Sequence, residues 1–126
     1  MKAAQQARLK LRCPIILNRQ PDISFPSGWF EIVFEMCAGI EDIAQQLRKS
    51  NKDRIFLPRI VFIEEHQGKL SCDLINANRS VKAIINDAVE KSASCCSVCG
   101  EAAKQFRIGR FLVTRCEQHH REEMHY

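Results

Sequence analysis

Near the end of this chain two pairs of metal-type ligands stand a short distance apart: Cys96-Ser97-Val98-Cys99-Gly100, then sixteen residues from Gly100 to Arg115, then Cys116-Glu117-Gln118-His119. No other feature limits the fold as much. Zinc takes four soft or borderline donors in a tetrahedron, and two residues between paired ligands let one tight backbone turn aim both side chains at the same ion. Between the pairs, Phe106-Arg107-Ile108-Gly109-Arg110-Phe111-Leu112-Val113-Thr114 is rich in β-formers around a single glycine. A strand, a turn and a second strand there return Cys116 beside Cys96. The second pair opens a short polar helix, Glu117 to Met124, which gives a knuckle, hairpin and helix arrangement of the treble-clef kind. The expected cofactor is one structural Zn2+ held by Cys96, Cys99, Cys116 and His119.

Disulfides are the competing reading of these cysteines. They need an oxidising compartment, whereas residues 1–12 are polar and basic, with Lys2, Arg8, Lys10 and Arg12, and form no apolar export signal. Seven cysteines is also an odd number. Cys13, Cys37 and Cys72 stand singly in apolar surroundings, as small core residues do. Each ligand pair has a neighbour through which it can slip by one, Cys95 before Cys96 and His120 after His119. Cys96 is favoured because it completes the two-residue spacing before Gly100.

A chain of 126 residues has room for one compact domain, or for a small core with a zinc module attached. Its 45% hydrophobic and 27% charged content is ordinary for a soluble protein, and no apolar run approaches the length of a membrane span. The expectation is a cytoplasmic protein with no membrane partner. The net charge of +4 permits an acidic partner without demanding one. Residues 1–27 read as a basic arm, helical from Ala3 to Leu11, followed by an extended lead-in broken by Pro14, Pro21 and Pro26. Residues 28–94 form the core, and residues 95–126 form the zinc module, in one unit with that core.

Within the core, Ser27 or Gly28 caps a helix to about Lys49. Its apolar stripe is Trp29, Ile32, Val33, Met36, Cys37, Ile40, Ile43, Ala44 and Leu47 at three- and four-residue steps. Trp29 is expected to anchor that helix to a β-hairpin. The hairpin runs from Ile55 to Glu64, interrupted by Pro58, and across His66-Gln67-Gly68 into Leu70 to Ile75. Asn78 or Ser80 caps a second helix that buries Val81, Ile84, Ile85, Ala88 and Val89. The fold class is α+β, with two helices on a small antiparallel sheet and a metal standing in for a core that the last residues cannot build alone.

Catalytic zinc needs an open coordination position beside a base. Four protein donors close the site, and Glu117 reads as a solvated residue favoured by the helix dipole. A His-Asn-His nuclease needs hairpin histidines and a nearby asparagine, and the last asparagine is Asn86. A cytidine-deaminase signature is absent too. Nucleic-acid binding has support from Lys104, Arg107, Arg110 and Arg115 near the hairpin and from the basic arm. Arg107, Arg110 and Arg115 are the candidate partner-binding residues, Arg107 and Arg115 on one face of the hairpin and Arg110 at its tip.

Taken as a set, Gly28-Trp29-Phe30 opening a helix with Cys37 and Ile40-Glu41, a hairpin with Gly68-Lys69-Leu70, then Ile84, Ala88 and Ser92 leading into Cys96-Ser97-Val98-Cys99-Gly100 and a closing Cys116 and His119, form a recognisable combination. It resembles a family of small uncharacterised phage and prophage proteins with a C-terminal zinc-binding module, over about residues 13–120. Where that family carries a basic and aromatic run around the hairpin glycine, this chain has Glu64-Glu65-His66-Gln67-Gly68. The resemblance implies a phage or mobile-element origin and supplies no activity. With no catalytic constellation in the chain, the expected function is a non-enzymatic factor that binds and inhibits or modulates host machinery. Its partner would be a host protein or nucleoprotein complex, with anti-defence inhibition as the most concrete version. A zinc-dependent DNA- or RNA-binding accessory protein is the alternative.

Overall fold

The computed structural model describes residues 3–50 and 56–124, and it is α+β. Helix α1 spans Ala3–Arg12, a sequence of good helix formers. Pro14 stops it, because its ring disfavours helical geometry at Cys13, whose N–H makes the last bond to Leu9 O at 2.9 Å. This segment is not a free arm. Leu9 and Cys13 are fully buried, the Arg8 guanidinium lies over the Phe30 and Phe34 rings, and Arg12 pairs with Asp42 at 2.9 Å. Arg8 and Arg12 are drawn onto the body by aromatic faces and a carboxylate, which the local sequence around them does not contain.

The lead-in is likewise built into the core. Ile15, Ile16, Leu17 and Phe25 are buried, and β1 (Asp22–Ser24) adds a strand to the sheet. Glu41 fixes the turn after Pro14. This carboxylate is fully buried, and it accepts hydrogen bonds from the backbone N–H of Ile15 and Ile16, both at 3.0 Å, and from Gln45 Nε2 at 3.0 Å. Buried charge is tolerable only when so satisfied.

A single 3-10 turn, Ser27–Trp29, preceded by Pro26 with no side-chain cap, leads into helix α2, Phe30–Ser50. Phe30, Val33, Met36, Cys37, Ile40 and Ala44 are buried at the expected spacing, while Ile32, Ile43 and Leu47 are half-buried. Strands β2 (Arg59–His66) and β3 (Lys69–Ile75) form the hairpin, joined by Gln67 and Gly68, both at positive φ. That conformation is the one a two-residue hairpin turn requires. Residue Ile55, expected to begin the first of these strands, lies outside the described residues. The sheet has the order β1-β2-β3, and β1 pairs with β2 in parallel, so the sheet is mixed rather than purely antiparallel. A bulge between Ile60 and Phe62 brings both Ile60 and Ile63 into the core, which strict two-residue alternation forbids.

Helix α3, Arg79–Ser92, begins at Asn78, whose side chain accepts from Val81 N at 2.8 Å. It packs on α2, where Gly39 leaves space for Ile84, and on β3. At its end, buried Ser92 donates to Val89 O and accepts from Leu70 N, tying the helix terminus to the sheet. Strands β4 (Lys104–Ile108) and β5 (Phe111–Arg115) make a separate two-stranded unit, followed by helix α4, Glu117–Met124. Among the described residues no helix is long and apolar enough to cross a membrane.

Candidate metal centre

The knuckle between α3 and β4 is a set of closely made backbone bonds. Cys96 N donates to Glu101 O at 2.7 Å, and Gly100 N donates back to Cys96 O at 2.8 Å. Gly100 sits at φ +84°, in the left-handed region where a side chain is costly. Ser97 N and Ser97 Oγ both donate to Thr114 O, each at 3.0 Å, so the knuckle is laced to β5 one residue before Arg115 and two before Cys116. Cys116 then starts α4, with His120 N bonded to Cys116 O at 2.9 Å, and one helical turn brings His119 round to the same point.

Cys96, Cys99, Cys116 and His119 converge, with all four ligand atoms within 4.8 Å of one another. A tetrahedral zinc ion about 2.3 Å from each sulfur requires sulfur–sulfur edges of about 3.8 Å. Cys99 Sγ and Cys116 Sγ are 3.7 Å apart, and Cys96 Sγ lies 3.6 Å from His119 Nδ1. Cys116 Sγ to His119 Nδ1 is the short edge at 3.1 Å. The donor set and its spacing therefore fit a metal ion. His119 offers Nδ1 to the cluster and turns Nε2 outward, 4.0 Å from a Glu122 carboxylate oxygen.

The electrostatics agree. Burial pushes the Cys96 thiol up, but hydrogen bonds from the backbone at Cys116, Cys99 and Val98 outweigh it and bring it down to about 6. The Glu101 backbone lowers Cys99, yet desolvation and the neighbouring Cys96 and Cys116 leave it raised to about 11. One thiolate forms easily and then opposes the next, a repulsion that a dication removes.

The two neighbours through which the pairs could slip make other contacts. The Cys95 thiol turns away toward Gly100 O, at 3.4 Å, and Gly28 O, at 3.6 Å, and burial raises its pKa. The His120 ring stacks on Phe106 with centroids 3.6 Å apart and planes 7° from parallel. Neither belongs to the converging set.

Trp29 is fully buried, as expected of a core anchor, but the contact that orients it is different. Its Nε1 donates to Cys95 O at 2.8 Å, so it fastens the core to the knuckle. Gly28 completes the joint: its N–H donates to Ser97 O at 2.9 Å, and a Cβ there would lie 2.6 Å from Ser97 C and 2.7 Å from Ser97 O and collide with Cys96 O. Its neighbourhood to the cysteines was not legible, because no local pattern links residue 28 to residue 97.

The expected arginine face is corrected. In the β4–β5 register Lys104 pairs with Arg115 and Arg107 with Leu112, so Arg107 and Arg115 project from opposite faces. The two-residue turn sets the phase, and an even sequence separation across it does not preserve the face. Arg107 and Arg110 are exposed. Arg115 is half-buried and donates to Ser97 Oγ and to Thr114 O, so it braces the knuckle. The Arg107 face carries Thr114, whose hydroxyl donates to Gly68 O, and Leu112, whose N–H donates to Gln67 Oε1 at 2.9 Å. The tip of the β2–β3 hairpin thus docks on the metal module.

Comparison of the chain with protein-family models, with curated proteins and with solved structures finds no match.

Proposed function

We propose that this protein is a non-enzymatic binding factor whose C-terminal module, stapled by one structural zinc ion in a treble-clef-like arrangement, presents a rigid surface to a partner. The observation that carries this reading is the convergence of four protein donors at tetrahedral spacing. Four donors saturate the ion, and a saturated ion serves folding rather than substrate activation. The surface offered is the β4–β5 tip, where exposed Arg107 and Arg110 adjoin Phe111, itself 65% exposed. A cation beside an exposed aromatic ring is a common anchor in protein interfaces. Following the resemblance to phage proteins, the partner is a host protein or nucleoprotein complex in the cytoplasm, bound so as to inhibit or modulate it, with anti-defence inhibition the most specific form.

Affinity capture from host lysate, with and without nuclease, tests the reading. A discrete protein or nucleoprotein partner that Arg107→Glu/Arg110→Glu fails to retain supports it. Capture unaffected by that double reversal moves the binding surface elsewhere.

A further inference from the structure

The two outer edges of the β4–β5 unit are not alike. Gly109 and Arg110 make a two-residue turn that leaves Ile108 paired with Phe111. Across such a turn the flanking pair exchanges both ladder bonds, so along β4 the N–H and C=O of Lys104, Phe106 and Ile108 point at β5. Those of Gln105 and Arg107 point outward, as do those of Leu112 and Thr114 on β5. The β5 edge is already taken, because Leu112 N donates to Gln67 Oε1 at 2.9 Å and Thr114 O accepts from Ser97 N at 3.0 Å. On the β4 side the edge is closed only at its start, where Ala103 N donates to Ser94 O at 3.0 Å. Beyond that point, among the described residues, nothing bonds the main chain of exposed Gln105 and Arg107.

An open edge is a template for another strand. The side chains decide which strand fits. Lys104, Arg107 and Arg110 stand exposed along β4 and its turn, and among the described residues no acid pairs with any of them. Their charge opposes a second copy of the same edge and favours an acidic strand. Arg107 shares its face with Gln105, whereas Phe106, Ile108 and the 65% exposed Phe111 share the other. A matching strand therefore carries acids on one face and apolar side chains on the other.

We infer that β4 receives an extended segment of that kind from a partner protein as a third strand. The inference rests on the binding-factor reading above and names the chemistry of its partner.

The probe is a labelled peptide of about nine residues in which glutamate and valine alternate, a strand's length and pattern. It is titrated by anisotropy into full-length, zinc-loaded protein. A block peptide of the same composition, single-stranded DNA, and two peptides N-methylated on the glutamates or on the valines are compared with it. Saturable binding of the alternating peptide below about 1 mM is expected, and Arg107→Glu should weaken it about tenfold with zinc content unchanged. Should that variant lose zinc, Arg107→Gln carries the comparison, with a loss of about threefold. One N-methylated peptide should lose binding while the other keeps it, since only alternate N–H groups face β4. Amide exchange at Gln105 and Arg107 should slow when the peptide binds. No saturable binding, equal binding of the block peptide or the DNA, N-methylated peptides that behave alike, or arginine variants that bind like the parent would overturn the inference. So would exchange at Gln105 and Arg107 that slows with protein concentration alone, which assigns the edge to a second copy. Lysate capture that the arginine reversals leave untouched strikes the reading beneath it instead.

Discussion

Glu41 ties the turn after Pro14 to helix α2. It is a fully buried carboxylate satisfied by two backbone N–H groups and an amide. Removing it strands the buried N–H groups of Ile15 and Ile16, at about 1–3 kcal/mol for each buried group left unpaired. Glu41→Ala should therefore lower unfolding stability by about 2–5 kcal/mol. Glu41→Gln, which keeps one acceptor oxygen, should cost less. Equal denaturant midpoints for parent and Glu41→Ala would show that the turn after Pro14 does not depend on it. Gly28 is the second residue whose identity is dictated by its surroundings, because the atoms a Cβ would meet are backbone of the knuckle. Gly28→Ala should cost about 1–3 kcal/mol as overpacking and should also raise the rate at which a chelator strips metal. A variant with unchanged stripping rate would sever the proposed link between core and knuckle.

At the scale of elements, the joint between the two hairpins decides whether the molecule behaves as one unit. Gly68 is at φ +78°, and a Cβ there would lie 3.1 Å from Thr114 Oγ1 and 3.2 Å from Leu112 O. Gly68→Ala combines left-handed strain with a crowded contact, and a loss of about 1–3 kcal/mol is expected. Hydrogen exchange should quicken at β4–β5 as well as at the turn. Exchange confined to the turn would mean the hairpins are independent. The helices were legible from sequence because their stripes recur at helical spacing, with Asn78 marking the start of α3. The parallel β1 was not, since three residues between prolines carry no periodic signal and its partner lies far away in the chain. The phase of the Arg107 and Arg115 faces was lost for a related reason: strand register depends on turn length and pairing, which composition does not reveal. The metal cluster was the most legible part of the site, because its chemistry is local spacing. Its fastening to Gly28, Trp29 and Gly68 was invisible, because those bonds join distant segments.

For the whole molecule, the Cys/His cluster, the knuckle and the core form one continuous network through Trp29, Gly28 and Ser97. Metal binding should therefore appear as stability of the entire chain, about 1.4 kcal/mol for each tenfold excess of free metal over its dissociation constant. Chelation should lower a single melting transition rather than split it. Because the ligands bind as thiolates and neutral imidazole, acidification protonates them and releases the metal, so the stabilisation is present near neutral pH and lost as pH falls. The ligand set itself is open to X-ray absorption on freshly purified reduced protein with its metal quantified. One zinc per chain is expected, with three sulfurs at about 2.3 Å and one nitrogen at about 2.0–2.1 Å. Absence of stoichiometric metal, or a shell containing a water oxygen or only two sulfurs, would contradict it.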